Sequence, residues 1–151
     1  MATKKDRLDR IIQSLRKKGY RLSPQRLAIL KILAQSREHP SVAQIRAMIK
    51  ADFSTTSPAT VYKNVSLLKS MGEVLELGFG NKSSRYDGYN PHPHPHVICN
   101  CCGRIVDPEY KAMARLSREI SRKTGFRITS HRLDFFGLCS ECQNKKKQIE
   151  K

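Results

Sequence analysis

Two CxxC pairs constrain this chain more than any other feature: Cys99 with Cys102, and Cys139 with Cys142. Each pair spans a tight turn, so both of its sulfurs can point at one ion. Four thiolates arranged this way are what a closed, tetrahedral zinc site needs. Residues 103–138 lie between the pairs, a longer gap than in an ordinary zinc ribbon. A helix and a strand in that gap would account for it, with the metal tying the start of a small domain to its end. The competing reading, two redox CxxC pairs, lacks the surroundings of a thioredoxin-like fold. Cys101 is left over and reads as a bystander.

The chain has 151 residues, 38% of them hydrophobic, and no Trp. This suits one ordinary domain or two very small ones, and very small domains need a metal or a partner subunit to hold together. The formal net charge is +16, and the excess is spread over the chain, +10 in residues 1–90 and +6 in residues 91–151. Such a balance is the footprint of a polyanion binder, nucleic acid before anything else, rather than of a merely solvated surface. No run is apolar enough to span a bilayer, and the opening MATKKDRLDR has no apolar signal core. The expected location is therefore the cytoplasm, where thiols stay reduced and CxxC pairs favour metal over disulfide.

Helical periodicity runs from Asp6 to Lys18 through Leu8, Ile11, Ile12 and Leu15, and Gly19 ends it. Ser23 and Pro24 signal a second helix with Leu27, Leu30, Leu33 and Ala34 inward. A third starts near Ser41, with Val42, Ile45, Met48 and Ile49 inward. Ser57 and Pro58 repeat the start signal for a fourth, whose face is Val61, Val65 and Leu68, with Met71 a further candidate, and which Gly72 stops. Val74, Leu75 and Leu77, then a glycine-bearing turn, then Ser84 to Tyr86 read as a hairpin. Helices followed by a hairpin make a winged helix-turn-helix, with the fourth helix in the DNA major groove. Its exposed polar candidates are Ser57, Thr60, Tyr62, Lys63 and Asn64; Tyr62 could equally pack in the core.

The fold class expected is α+β: a winged-helix DNA-binding domain over residues 1–88, a linker over 89–93, and a small α/β dimerisation domain with a four-cysteine zinc site over 94–151. That second domain reads as strand (Val97 to Cys99), strand (Arg104 to Val106), helix (Pro108 to Lys123, with Ala112, Leu116 and Ile120 on one face) and a long strand (Arg127 to Leu138). It is thin enough to need a copy of itself, so a homodimer is expected.

Beside the thiols stands a looser set of nitrogen and oxygen donors. In NPHPHPHV the prolines bias the backbone to extended structure, so His94 and His96 would face one side of a strand. His39 before Pro40, Asp87 at the end of the hairpin and Asp107 after GRIV complete the candidates. Imidazole with carboxylate suits Fe(II), Mn(II) or Zn(II) without any thiolate. By spacing alone the set is weak: His39 could be a helix-flanking surface residue, and the Pro-His repeat could be solvated.

The segments LSPQRLAIL, HPS, SPATVYKNVSLL, SSRYD, HPHVICNCCGRIVD and HRLDFFGLCSEC occur in an order that resembles the ferric uptake regulator (Fur) family of bacterial metal-dependent repressors, from about Asp6 to Gln143. Within it the chain looks most like the peroxide-sensing branch. The resemblance implies a regulatory Fe2+ or Mn2+ held by His39, Asp87, His94, His96 and Asp107, and a structural Zn2+ held by Cys99, Cys102, Cys139 and Cys142. It also implies a palindromic double-stranded DNA operator. Iron sensors of the family typically carry glutamate where Asp107 stands, and Pro93 and Pro95 cannot serve the further site that iron sensors often have. The implied mechanism is that a metal draws DNA-binding and dimerisation halves into one spacing. Peroxide then oxidises His39 or His94, removes a ligand and releases DNA. His92 extends the repeat and could compete with His94; His131 reads as structural.

Other readings are a repressor of the same fold that senses iron or another metal level, a zinc-stapled nucleic-acid-binding protein without sensing, and a metalloenzyme activating water. The last has little support, since the charge suits DNA and no substrate-pocket signature is present. No enzymatic activity is expected.

Overall fold

Ser23, Ser41 and Ser57 all stand in extended backbone conformation, and their hydroxyls accept hydrogen bonds from the amides of Arg26, Gln44 and Thr60. Each satisfies one of the orphan donors at a helix start. The computed structural model describes residues 4–79 and 82–149. The caps open α2 (Pro24–Gln35), α3 (Val42–Ile49) and α4 (Pro58–Ser70), which follow α1 (Lys4–Lys17). At Ser41 the cap is reciprocal, because the Gln44 side chain accepts from the Ser41 amide at 2.8 Å. The antiparallel hairpin of β1 (Leu75–Phe79) and β2 (Lys82–Asp87) completes a winged helix-turn-helix order. Residues 80 and 81 of its expected glycine-bearing turn lie outside the described residues.

The core of this unit joins Ile11 and Leu15 of α1 to Leu30 and Leu33 of α2, Ile45 of α3, Val61 and Val65 of α4, and Tyr86 of β2. Two expectations about inward faces need correction. Met48 is 55% exposed: the buried stripe of the two-turn α3 is Ile45 and Ile49, and a position one residue before Ile49 lies about 100° around the helix. On α2, Ile29 is fully buried while Leu27 is only half-buried. That helix packs against α1, α3 and α4, so its buried face is wider than one stripe.

The second half builds a three-stranded sheet in the order β4-β3-β5 from β3 (Pro95–Cys99), β4 (Ile105–Val106) and β5 (Leu133–Gly137). β3 runs antiparallel to β4 and parallel to β5. A parallel pair needs a long crossover, and α5 (Met113–Thr124) lies in it. α5 begins later than expected, at Met113 rather than Pro108, and Ala112 before it offers no side-chain cap. The expected long strand is also shorter, because five-residue β3 gives β5 only the register from Pro95–Leu133 to Cys99–Gly137. The chain closes with α6 (Ser140–Ile149), which carries no apolar stripe to announce it.

The chain divides into two compact units, Met1–His92 and Pro93–Lys151. In the second, α5 buries none of its residues: Leu116 and Ile120 are exposed, as are Val97, Val106, Phe135 and Phe136 on the strands. This is an apolar surface waiting for cover. Among the described residues no helix is long and apolar enough to cross a membrane.

Gly88, just past β2, packs so closely on α2 that a Cβ there would lie 2.8 Å from both the Cβ and the carbonyl oxygen of Leu33. Backbone cannot yield as a flexible side chain would. Gly88→Ala is expected to destabilise the first unit by ~1–3 kcal/mol, read as a lower urea midpoint with zinc content unchanged.

Candidate functional site

The four paired cysteines converge. Cys99 ends β3, Cys102 lies on the following turn, Cys139 follows β5, and Cys142 sits in the first turn of α6. The turn is closed by the Gly103 amide donating to the Cys99 carbonyl at 2.9 Å, with Gly103 at φ 74°. All four sulfurs lie within 4.8 Å of one another. Those of Cys102 and Cys139 are 3.8 Å apart, the edge of a tetrahedron whose bonds are ~2.3 Å long. The Cys139 amide donates to the Cys99 sulfur at 3.3 Å and draws that thiol down to about 6. Cys142, hydrogen-bonded to Cys139 and then to Cys101, is pushed well up. Four sulfurs this close to one another fit a single dication, and the all-thiol donor set fits zinc. Cys101 itself is exposed.

In the first unit, His39 is the only non-glycine residue with positive φ among the described residues, at 50°. A residue before proline prefers extended backbone, and holding it in the left-handed region costs ~1–3 kcal/mol. β2 supplies what holds it. The Arg85 guanidinium donates through Nε to the His39 carbonyl and through Nη2 to the Glu38 carbonyl at 2.6 Å. The Tyr86 amide donates to the Pro40 carbonyl at 3.1 Å. Strand alternation puts Asp87 on the same face as Arg85, and its Oδ2 lies 3.4 Å from His39 Nε2. Both residues are about 2% exposed or less. Arg7 of α1 fixes the chain just beyond, donating to the Gly88 carbonyl at 2.8 Å while paired with Glu73 at 2.7 Å.

In the second unit, Val97 pairs with Val106 across β3 and β4, so Asp107, one residue further, comes alongside His96. Asp107 Oδ2 is 3.5 Å from His94 Nε2, and its Oδ1 is 3.8 Å from His96 Nε2. Donors bound to one ion at ~2.0–2.2 Å stand about 3.0–3.4 Å apart, so the three side chains need only a small contraction to share one. His92, by contrast, is exposed, and His131 is half-buried outside the strands. Sequence reasoning missed Asp134. It pairs with His96 in the β3–β5 register, and its Oδ1 lies 3.4 Å from His96 Nδ1. A carboxylate on that nitrogen orients the ring and leaves Nε2 toward Asp107. The one signal was an acid in the otherwise apolar stretch LDFFGL.

Of the nucleic-acid candidates on α4, Tyr62 is 56% exposed, and Ser57 and Lys63 are also exposed. Thr60 is half-buried, 3.0 Å from the Ser57 hydroxyl. Asn64 does not present its side chain as expected. It is buried, its Oδ1 accepts from Arg26 Nε at 2.7 Å, and its Nδ2 donates to the Thr60 carbonyl at 2.9 Å. The position faces α2, which a polar residue on a polar-looking helix concealed.

A family-wide sequence model for the ferric uptake regulator family matches residues 17–136. The Peroxide-responsive repressor PerR of Staphylococcus aureus is 43% identical over 138 residues, covering 91% of this chain and 93% of its own. Two solved structures are similar in fold. The Helicobacter pylori ferric uptake regulator Fur has a TM-score of 0.78 at 28% identity, covering 93% of this chain and 94% of its own. The Campylobacter jejuni peroxide stress regulator has a TM-score of 0.70 at 33% identity, covering 87% of this chain and 98% of its own.

Cys99→Ala or Cys142→Ala is expected to abolish zinc retention and unfold the second unit, whereas Cys101→Ser keeps one zinc per chain in a chelator-release assay. Asn64→Ala is expected to cost ~1–3 kcal/mol of stability, because it strands Arg26 and the Thr60 carbonyl. Lys63→Ala should leave the melting temperature alone and weaken DNA binding.

Proposed function

The chain belongs to the ferric uptake regulator family, and from that premise we propose that it is a metal-dependent, DNA-binding transcriptional repressor that answers peroxide by oxidation of a histidine ligand. One observation carries the reading: the second unit holds two donor sets of different chemistry on the same strand. All four paired thiols gather at the Cys99 end of β3. The donors around His94 and His96 are all nitrogen and oxygen. A closed thiolate set suits a permanent zinc, and an open imidazole–carboxylate set suits an exchangeable Fe2+ or Mn2+. The 43% identity to a repressor named as peroxide-responsive supports the same assignment.

As the family resemblance implies, His39, Asp87, His94, His96 and Asp107 would hold the regulatory ion. Residues 1–88 bind DNA and residues 94–151 dimerise. Ligands drawn from both units convert binding free energy into a preference for one arrangement of the chain, and thereby couple metal to DNA affinity. A ferrous ion held there would supply reducing power toward peroxide, which a manganous ion would not. His39 and His94 are the residues expected to take up oxygen. An oxygenated imidazole no longer donates its lone pair in the same way, so the arrangement is lost. The event consumes the sensor instead of turning over, so no enzymatic activity is assigned, and the work is done in the cytoplasm.

Operator binding uses Ser57, Thr60, Tyr62 and Lys63 of α4 in the major groove, with Asn64 holding the helix rather than reading bases. A homodimer meets a palindromic operator with two such helices. The exposed Leu116 and Ile120 of α5 and Phe135 and Phe136 of β5 provide apolar area that a copy would bury.

Full-length protein, loaded once with Fe(II) and once with Mn(II), is exposed briefly to peroxide and mapped by peptide mass spectrometry. Added oxygen at His39 or His94 in the iron sample alone, with loss of operator binding, is the expected result. Unmodified histidines, with DNA binding that follows free metal, would reassign the chain as a metal-level sensor of the same family. Asp87→Ala and Asp107→Ala should each abolish metal-dependent DNA binding while zinc stays at one per chain. With a net charge of +16, operator affinity should fall steeply with salt, on the order of 10³-fold or more between 50 and 200 mM.

A further inference from the structure

We propose that Arg85 is a positioning residue for the regulatory ion: by gripping the carbonyls of Glu38 and His39 it fixes the backbone from which the His39 imidazole reaches Asp87. The proposal rests on the reading of His39 and Asp87 as ligands. Neither its Nε bond to His39 nor its Nη2 bond to Glu38 is to a side chain or to the core. Both go to the peptide units on either side of the His39 nitrogen and α-carbon, the bonds whose rotation sets where the imidazole points.

Three observations separate this from an ordinary tether between a hairpin and a helix start. First, His39 needs holding, since it has φ 50° directly before a proline, a conformation that L residues leave when unrestrained. Second, Arg85 and Asp87 stand two apart on one strand, so a single rigid element sets both the histidine's backbone and its carboxylate partner. Third, the strand locks to the residues just after His39, through the Ser41–Arg85 bridge and the Tyr86 amide on the Pro40 carbonyl. A planar fork of donors can span two successive carbonyls, which an ammonium cannot. Groups that orient a ligand typically change metal affinity by about 10–100-fold when removed.

The test uses zinc-loaded full-length protein titrated with Mn(II), comparing wild type with Arg85→Ala, Arg85→Lys and Asp87→Ala. In parallel, the intraresidue HN–Hα cross-peak of His39 is read by NMR in the manganese-free protein, because positive φ brings those two protons close and makes the peak strong. Arg85→Ala is expected to weaken Mn(II) binding by about 10–100-fold and to lose the strong cross-peak. Arg85→Lys should recover part of both, and zinc should stay at one per chain throughout. Wild-type Mn(II) affinity in Arg85→Ala, with affinity lost in Asp87→Ala, would overturn the proposal and leave the ligand reading standing. Wild-type affinity in both would overturn the ligand reading and the proposal with it. Weakened binding with the strong cross-peak retained would also overturn it, since the guanidinium would then act by some other route. Should Arg85→Ala fail to fold, Arg85→Lys decides: reduced affinity with a weakened cross-peak supports the proposal, and wild-type values in both overturn it.

Discussion

The parallel pairing of β3 with β5 is the interaction on which the second unit depends, because five residue pairs set both of its donor clusters. At one end Cys99 lies opposite Gly137, two residues before Cys139. Near the other, His96 lies opposite Asp134. A slip of one residue would turn every side chain of β3 to the other face of the sheet, taking His96 away from its two carboxylates. Zinc at the thiol end would pin that register, in effect as a disulfide would in an oxidising compartment. The strand that carries His96, with His94 just before it, would thus be fixed by a metal other than the one they are proposed to bind.

The first unit solves a different problem. Its ligand candidates come from a loop and a strand end, where backbone is usually free to move. Serine caps set where the helices begin, Arg7 and the Gly88–Leu33 contact fix the chain after Asp87, and Arg85 fixes the chain around His39. A rigid scaffold of this kind keeps donors near binding geometry before any ion arrives, so less of the binding free energy goes into ordering them.

Local signals made most of the architecture readable. Ser23-Pro24, Ser41 and Ser57-Pro58 marked three helix starts because capping is chemistry between near neighbours in sequence. The two CxxC pairs marked a closed metal site for the same reason. What stayed hidden depended on partners far away in the chain. Met48 and Asn64 were misjudged because the direction of a helix face is decided by the helices that pack on it. The extent of β5 was misjudged because a strand ends where its neighbour ends. Asp134 was missed because its meaning comes from a parallel register across α5, and α6 because its residues carry no apolar period. Asp87, Asp107 and His39 came from family resemblance more than from spacing, and ion-pair distances now place each beside an imidazole or carboxylate within its own unit.

The bare face of α5 has a consequence for how such a regulator is set. Leu116 and Ile120 of α5, and Phe135 and Phe136 of β5, are exposed apolar side chains that a second copy would bury, which would tie the stability of the second unit by mass action to the amount of protein present. Dilution then loosens the same sheet that carries both donor clusters. The sensor's own abundance becomes one of the quantities that fix its threshold, and a cell can tune its response by synthesis alone, with no change in any ligand.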